Sequence, residues 1–178
     1  MLRKDFEEIL GSEIISLTGG LVAGFLLTFA VDKLYLIPSL FILFPGFMEM
    51  RGNISGTLSA RLSAGLHVGA FRPVHRKKDI VRGNVLASVV LVVLLSLFLG
   101  MLAYYVSMEF FGVANPNIIL IALLAGILSN VIEIPITIIS TFWIFKHGHD
   151  PDNIMGPYVT TMGDIVSILS LLIAVYVV

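Results

Sequence analysis

Long stretches without a charged residue are the strongest constraint on how this chain folds. Three stretches carry no charge and a fourth carries only Asp164: residues 14–31, 83–108, 110–132 and 153–178. A helix needs about 20 consecutive apolar residues to cross the hydrocarbon core of a bilayer. Only 13% of the residues are charged, whereas a soluble domain carries roughly a quarter. We therefore expect an all-α, polytopic membrane protein.

Composition also excludes several classes of function. The chain has no cysteine, which excludes thiolate metal sites, thiol catalysis and disulfides. Its net charge of −1 gives no support to a nucleic-acid partner. Residues 1–11 are charged and their apolar run is too short for a cleaved signal peptide. We expect a short amphipathic segment there, followed by a transmembrane domain over residues 12–178 without a separate extramembrane domain.

Apolar runs and their interruptions divide residues 12–178 into five predicted spans. These are residues 12–35, 38–70, 83–107, 117–145 with a bend at Pro135, and 157–178. The second span is the exception, because Pro45 and a polar group over residues 49–53 interrupt it. A straight helix of this length would measure roughly 50 Å, against a hydrocarbon core of about 30 Å. We therefore expect the second helix to be broken or kinked between Pro45 and Asn53.

The basic residues predict how the spans are oriented. With five spans, eight of the 11 Lys and Arg residues fall on one side: Arg3, Lys4, Arg72, Arg76, Lys77, Lys78, Arg82 and Lys146. Positive residues mark the cytosolic side, so we expect a cytosolic N-terminus and an outer C-terminus. Asp32 and Lys33, beside Tyr35, are expected to reach the interface. Two copies inserted in this way are parallel, so a homodimer would have its twofold axis along the membrane normal.

Ionisable side chains within the second span are candidate functional residues, because a charge at the centre of a spanning helix costs at least ~2.5–3.5 kcal/mol. The polar residues of this span are Glu49, Arg51, Asn53 and Arg61. Small residues recur every four positions beside them, at Gly52, Gly56, Ala60 and Ala64. Such a stripe is typical of closely packed membrane helices. Packing alone accounts for the stripe but not for the charges.

The fourth and fifth spans each place an acid on a polar helical face. Asn130, Glu133 and Thr137 share one face of the fourth span, and Thr160, Asp164 and Ser167 share one face of the fifth. A neutral, hydrogen-bonded Glu133 is the structural alternative for the first acid. For Asp164 the structural alternative is an ion pair with Arg61.

The available donors are oxygens, which suit a hard cation and disfavour copper, iron or zinc. Mg²⁺ is usually held by one or two carboxylates and keeps several of its waters. Two Asp164 side chains at a dimer axis would supply that number, although Mn²⁺, Ca²⁺ and Na⁺ stay open.

A second, polar cluster follows the fourth span: His147, His149, Asp150 and Asp152. We expect it to be a solvated turn, with weak divalent-cation binding as the alternative; His67 lies near the inner end of the second span.

Two motifs resemble those of the MgtE-type magnesium transporters, and most closely their solute-carrier branch of single-repeat archaeal and eukaryotic-like members. The first comprises Arg51-Gly52-Asn53, Thr57-Leu58 and Arg61-Leu62-Ser63, and the second comprises Asp150, Pro151, Pro157, Thr160 and Asp164. The resemblance implies an MgtE-like transmembrane domain and a dimeric pore, with Asp164 at the central magnesium site and Asn53 lining the pore.

The chain also departs from that pattern. We expect no counterpart of the cytosolic gating domains of the bacterial transporters, and a single unit where other solute-carrier members fuse two. We therefore expect it to pair with itself or with a sister half. Members of the family often have an acidic residue where the third span begins; here that position is occupied by Gly83 or Asn84.

The sequence thus favours transport of a divalent cation, Mg²⁺ first, across the cytoplasmic membrane through a homodimeric pore surrounded by lipid. The candidate metal-binding residues are Asp164, Asn53 and Thr160. Candidates for pore lining or coupling are Glu49, Arg51, Arg61, Asn130, Glu133, Thr137 and Ser167. One alternative is Na⁺- or H⁺-coupled exchange through Glu133 or Glu49. The others are an intramembrane lipid-modifying enzyme and a non-transporting membrane subunit, and we expect no enzymatic activity.

Overall fold

A computed structural model describes residues 2–29, 31, 37–70, 78–113 and 115–178. Five helices account for nearly all of them: α1 (Leu2–Thr28), α2 (Pro38–His67), α3 (Lys78–Phe111), α4 (Asn117–Lys146) and α5 (Pro151–Val177). The all-α prediction is therefore confirmed for these ranges. Asp32, Lys33, Tyr35, Arg72, His75, Arg76 and Lys77 lie outside the described residues, as does the side chain of Lys78.

Local sequence signals explain where several helices begin and end. Asp150 caps α5, accepting a hydrogen bond from the backbone N–H of Asp152 at 2.9 Å, and Pro151 fills the first helical position. Both are favourable, because the first backbone N–H groups of a helix have no partner within it. Just after the C-terminal end of α4, Gly148 adopts a φ of 79°, a conformation that glycine reaches without steric cost.

Among the described residues, four helices are long and apolar enough to cross a membrane: Arg3–Thr28, Asp79–Phe111, Asn117–Lys146 and Pro151–Val177. Their length and composition fit the predicted multi-pass membrane protein. Helix α2 is not among them, since its charged residues and serines lower its hydropathy. Its crossing, and the orientation of the termini, stay predictions.

Helix α2 continues without interruption from Pro38 to His67, with Pro45 inside it. The predicted division into two helices between Pro45 and Asn53 is therefore absent, whereas a bend at Pro45 stays a prediction. Proline lacks a backbone N–H and usually disturbs a helix. Helix α2 packs against α3, α4 and α5, and such packing supports a continuous helix across a proline in a membrane.

Apolar packing and close helix contacts hold the bundle together. Leu43 and Phe47 of α2 form a buried cluster with Val92 of α3 and Ile121 of α4. Helices α3 and α4 approach closely at Gly100, where an added Cβ would lie 2.8 Å from the Cα of Ile119. Helix α1 packs mainly on α5, and many of its apolar side chains are exposed. Such an apolar exterior is what contact with lipid requires.

Candidate functional site

One buried guanidinium joins α2, α4 and α5. Arg51 is 1% exposed, and its Nη1 lies 3.2 Å from Oε2 of Glu133, which is 4% exposed. Its Nη2 lies 2.8 Å from Oδ1 of Asp164, whose side chain is 26% exposed. Nη1 also donates to the backbone carbonyl of Val159 at 3.2 Å. All three charged residues lie near the midpoints of their helices, so they occupy one level of the bundle.

The charges in this cluster are only partly compensated. One guanidinium faces two carboxylates, and Ser55 adds a hydrogen bond from its Oγ to Glu133 Oε2 at 2.9 Å. Within this cluster, two buried atoms have no hydrogen-bond partner among the described residues: Nε of Arg51 and Oε1 of Glu133. Burying a charge is costly unless it is paired and hydrogen-bonded. Of the two acids, Asp164 is the more exposed.

Gly163 provides the space for the guanidinium. A Cβ at this position would overlap Nη1 of Arg51, so the side chain of any other residue would displace it. This glycine immediately precedes Asp164 in α5. Gly163 is not among the residues predicted from the sequence, although a glycine next to an intramembrane acid is the available signal.

The structural alternative for Asp164, an ion pair with Arg61, is wrong. Arg61 is exposed, and its Nη1 donates to Oδ1 of Asn84 at 3.3 Å. It lies ten residues after Arg51 in α2, or about 15 Å further along the helix. Arg51 lies at the level of Asp164 in the bundle and forms the ion pair with it.

Three other polar residues of α2, Glu49, Asn53 and Arg61, are exposed and lie away from the buried face that carries Arg51. Asn53 follows Arg51 by two positions and therefore points about 200° away around the helix axis. It is exposed, and its Nδ2 donates to Oε1 of Glu49 at 3.1 Å. A cleft of about 460 Å³ between α2 and α3 is lined by Glu49, Asn53, Thr57, Arg61 and Asn84 among others. Within the chain, Asn53 thus pairs with Glu49 rather than joining Asp164.

The remaining candidates divide by burial. Thr160 is exposed one turn before Asp164 and donates to the carbonyl of Gly156 at 3.0 Å. Asn130, Thr137 and Ser167 are buried. Oδ1 of Asn130 and Oγ of Ser167 have no hydrogen-bond partner in the part of the chain described. Thr137 accepts a hydrogen bond from the Oγ1 of Thr141 through its backbone carbonyl, at 2.7 Å.

A second cluster of possible ligands lies where α2 ends and α5 begins. Nε2 of His67 is 3.1 Å from Oδ1 of Asp150 and 4.0 Å from Oδ2 of Asp152. The expected grouping of His147 and His149 with these acids is not formed. Nδ1 of His147 lies 2.7 Å from the carbonyl of Trp143, and Nδ1 of His149 lies 2.9 Å from Oε1 of Glu8.

Much of the chain is similar in sequence to known proteins. A family model, MgtE, described as a divalent cation transporter, matches residues 44–174. Solute carrier family 41 member 2 of Mus musculus is 28% identical over 142 residues, which cover 74% of this chain and 24% of that protein. The proteins of the same name from Homo sapiens and Macaca fascicularis are each 26% identical. The chain thus spans about a quarter of the length of these relatives. No solved structure matches it.

Proposed function

Because the chain belongs to the MgtE family of divalent cation transporters, we propose that it carries Mg²⁺ across the cytoplasmic membrane through a pore formed by two copies. Family membership makes it a transporter rather than an enzyme. Helix α2 then crosses the membrane with the other four helices, the N-terminus is cytosolic and the C-terminus is outside. Residues 12–178 form the transmembrane domain, and the segment 1–11 lies at its cytosolic surface.

The single observation that carries this proposal is the setting of Asp164. It is an acid at the middle of an apolar helix, and its side chain is 26% exposed while its two charged neighbours are buried. Mg²⁺ is commonly held through one or two carboxylates with its waters retained. Thr160, exposed one turn away on the same helix, adds a hydroxyl for those waters. We assign Asp164 as the direct ligand, with Thr160 and Asn53 beside the ion's path.

The exposed face of α2 supports pairing of two copies. An added Cβ at Gly52 or Gly56 would have no atom within 4 Å, and Ala60 and Ala64 are exposed in the same stripe. Small residues with open space on a membrane helix favour close packing against another helix. A twofold axis along the membrane normal then brings two copies of Asp164 towards one ion, and places Asn53 at the interface. Glu49 and Arg61, on the exposed side of α2, line the path with them.

One further observation favours a second candidate, exchange coupled to H⁺ or Na⁺. Oε1 of Glu133 is buried without a hydrogen-bond partner in the described part of the chain. A carboxyl group in that position is suited to hold a proton or to ligate Na⁺. Asn130, Thr137 and Ser167 would line that route.

Ion flux into proteoliposomes tests both candidates. Purified protein is reconstituted, and influx of Mg²⁺, Mn²⁺, Ca²⁺ and Na⁺ is compared with that into protein-free vesicles. We expect Mg²⁺ influx above background that is insensitive to imposed pH and Na⁺ gradients. Acceleration of Mg²⁺ influx by either gradient would favour a coupled exchanger over a pore. An absence of divalent influx would reject transport by this chain alone.

A further inference from the structure

The guanidinium of Arg51 is bound to Asp164, the carboxylate that the proposed function assigns to the ion. The contact from its Nη2 to Asp164 Oδ1, at 2.8 Å, is the shortest that this guanidinium makes to a charged group. A cation that ligates Asp164 therefore meets a positive charge already bound there. Two positive charges at one carboxylate repel each other, more strongly inside a protein than in water.

Arg51 has a second carboxylate partner, Glu133. Its Nη1 already contacts Glu133 and the carbonyl of Val159, so loss of Asp164 does not leave the guanidinium unpaired. Its Nε lacks a hydrogen-bond partner among the described residues, and so does Oε1 of Glu133. The Nε–H points to the same side of the guanidinium as Nη2, so it cannot share a carboxylate with Nη1. Once Nη2 leaves Asp164, Oε1 of Glu133 accepts from it while Nη1 stays on Oε2, which gives a two-bond guanidinium–carboxylate pair, the strongest form of this contact.

We propose that Arg51 is a tethered competitor of the divalent cation, and so a specificity-determining residue of the transport site. Without an ion, Arg51 holds Asp164; when the ion binds Asp164, Arg51 moves fully onto Glu133. The proposal rests on the proposed function, because it assumes that Asp164 binds the ion.

Charge counting explains why such a device favours a divalent ion. The guanidinium and the two carboxylates leave one negative charge in each protomer. Two protomers therefore present two negative charges at the shared site, which one divalent cation neutralises and one monovalent cation does not. Compensation of this kind matters most where water is excluded. Arg51 thus limits the charge of the site as well as competing for it.

Removing the competitor tests the proposal through ion affinity. The double variant Arg51→Met with Glu133→Gln removes the buried cation together with its buried acid. We expect its half-saturating Mg²⁺ concentration for flux to fall about tenfold, since the site no longer has to release Arg51 first. Arg51→Lys retains the charge on a single ammonium, and we expect a smaller fall. Gly163→Ala, which pushes the guanidinium away from its place, should shift the concentration in the same direction.

The matched control is Gly20→Ala, at a helical glycine where an added Cβ meets no atom within 4 Å; it should leave the half-saturating concentration unchanged. An assembled double variant with an unchanged or higher half-saturating concentration would overturn the proposal. Failure of Asp164→Asn to reduce divalent flux would instead reject the proposed function. If Asp164 is required and the Arg51 variants change nothing, only the competition is rejected.

A measurement on the unmodified protein keeps the proposal testable if the double variant does not assemble. In protein labelled with ¹⁵N-arginine, the side-chain signals of Arg51 are identified by their loss in Arg51→Lys. We expect saturating Mg²⁺ to shift these signals, because their acceptor changes from Asp164 to Glu133, and we expect no shift in Asp164→Asn. Signals that stay in place at saturating Mg²⁺ would show that Arg51 does not leave Asp164.

Discussion

Arg51 and Asp164 are 113 residues apart in the sequence and lie in contact at 2.8 Å inside the bundle. Through this contact α2 is joined to α5, and through Glu133 the same guanidinium is joined to α4. The charges that are costly in a bilayer are thereby gathered at one level of the fold. In this arrangement Asp164 is the more exposed of the two acids.

Removing Arg51 alone should destabilise the protein more than removing it with its buried partner. In Arg51→Met, Glu133 keeps only the hydrogen bond from Ser55, so a buried acid is left without its cation. We expect a loss of about 3–5 kcal/mol, and recovery of most of it in Arg51→Met with Glu133→Gln. Thermal unfolding in detergent measures both. Equal stability of the single and double variants would contradict this account of the cluster.

Gly100 should be intolerant of a side chain. An added Cβ would lie 2.8 Å from the Cα of Ile119, so α3 and α4 would have to separate. We expect Gly100→Ala to cost about 1–3 kcal/mol, and Gly20→Ala, in open space, to cost little. Thermal unfolding of the two variants side by side makes the comparison. A Gly100→Ala protein as stable as the unmodified chain would show that the close approach is not required.

Glu8 should hold the start of α1 to the rest of the bundle. Its carboxylate contacts His149 at 2.9 Å and Asn153 at 3.2 Å. We expect Glu8→Gln to weaken this attachment by about 1–3 kcal/mol and to increase amide hydrogen exchange in residues 2–28. The neighbouring Glu7→Gln is the control, because Glu7 is exposed and, among the described residues, its carboxylate pairs with Arg3 of the same helix. Equal exchange in the two variants would remove Glu8 from this role.

The exposed face of α2 should be the contact between copies. The natural chain has no cysteine, so Ala60→Cys introduces a single thiol on that face. We expect oxidation to crosslink two copies through residue 60 in the membrane, because a parallel twofold axis brings equivalent residues together. Gly20→Cys, on the exposed side of α1, should crosslink far less. The reverse pattern would place the interface on α1.

Most of the fold could be predicted from apolar runs, but not every boundary. Helix α4 was predicted over residues 117–145 and is found over Asn117–Lys146. Helix α5 was predicted to begin at Pro157 and begins at Pro151, because Asp150 and Pro151 form a cap and first turn that hydropathy alone does not weigh. As a result, Asp164 lies near the middle of its helix rather than in its first half.

The candidate site was only partly predictable, because spacing along one helix does not determine contacts between helices. The burial of Arg51 and Glu133, and their pairing, depend on how α2, α4 and α5 pack. The separation of Asn53 from Arg51, by contrast, follows from their two-residue spacing, which puts them on different faces of α2. Gly163 was the overlooked local signal, and its importance becomes clear only when the position of Arg51 is known.

Mg²⁺ flux through Asp164→Asn tests the central claim most directly. Asn retains the size of Asp164 and removes its charge, while Asp79→Asn, at an exposed acid in the first turn of α3, serves as the matched control. In proteoliposomes containing equal amounts of folded protein, we expect Asp164→Asn to reduce Mg²⁺ influx to background and Asp79→Asn to leave it unchanged. Undiminished Mg²⁺ influx through Asp164→Asn would contradict the assignment of Asp164 as the ion's ligand.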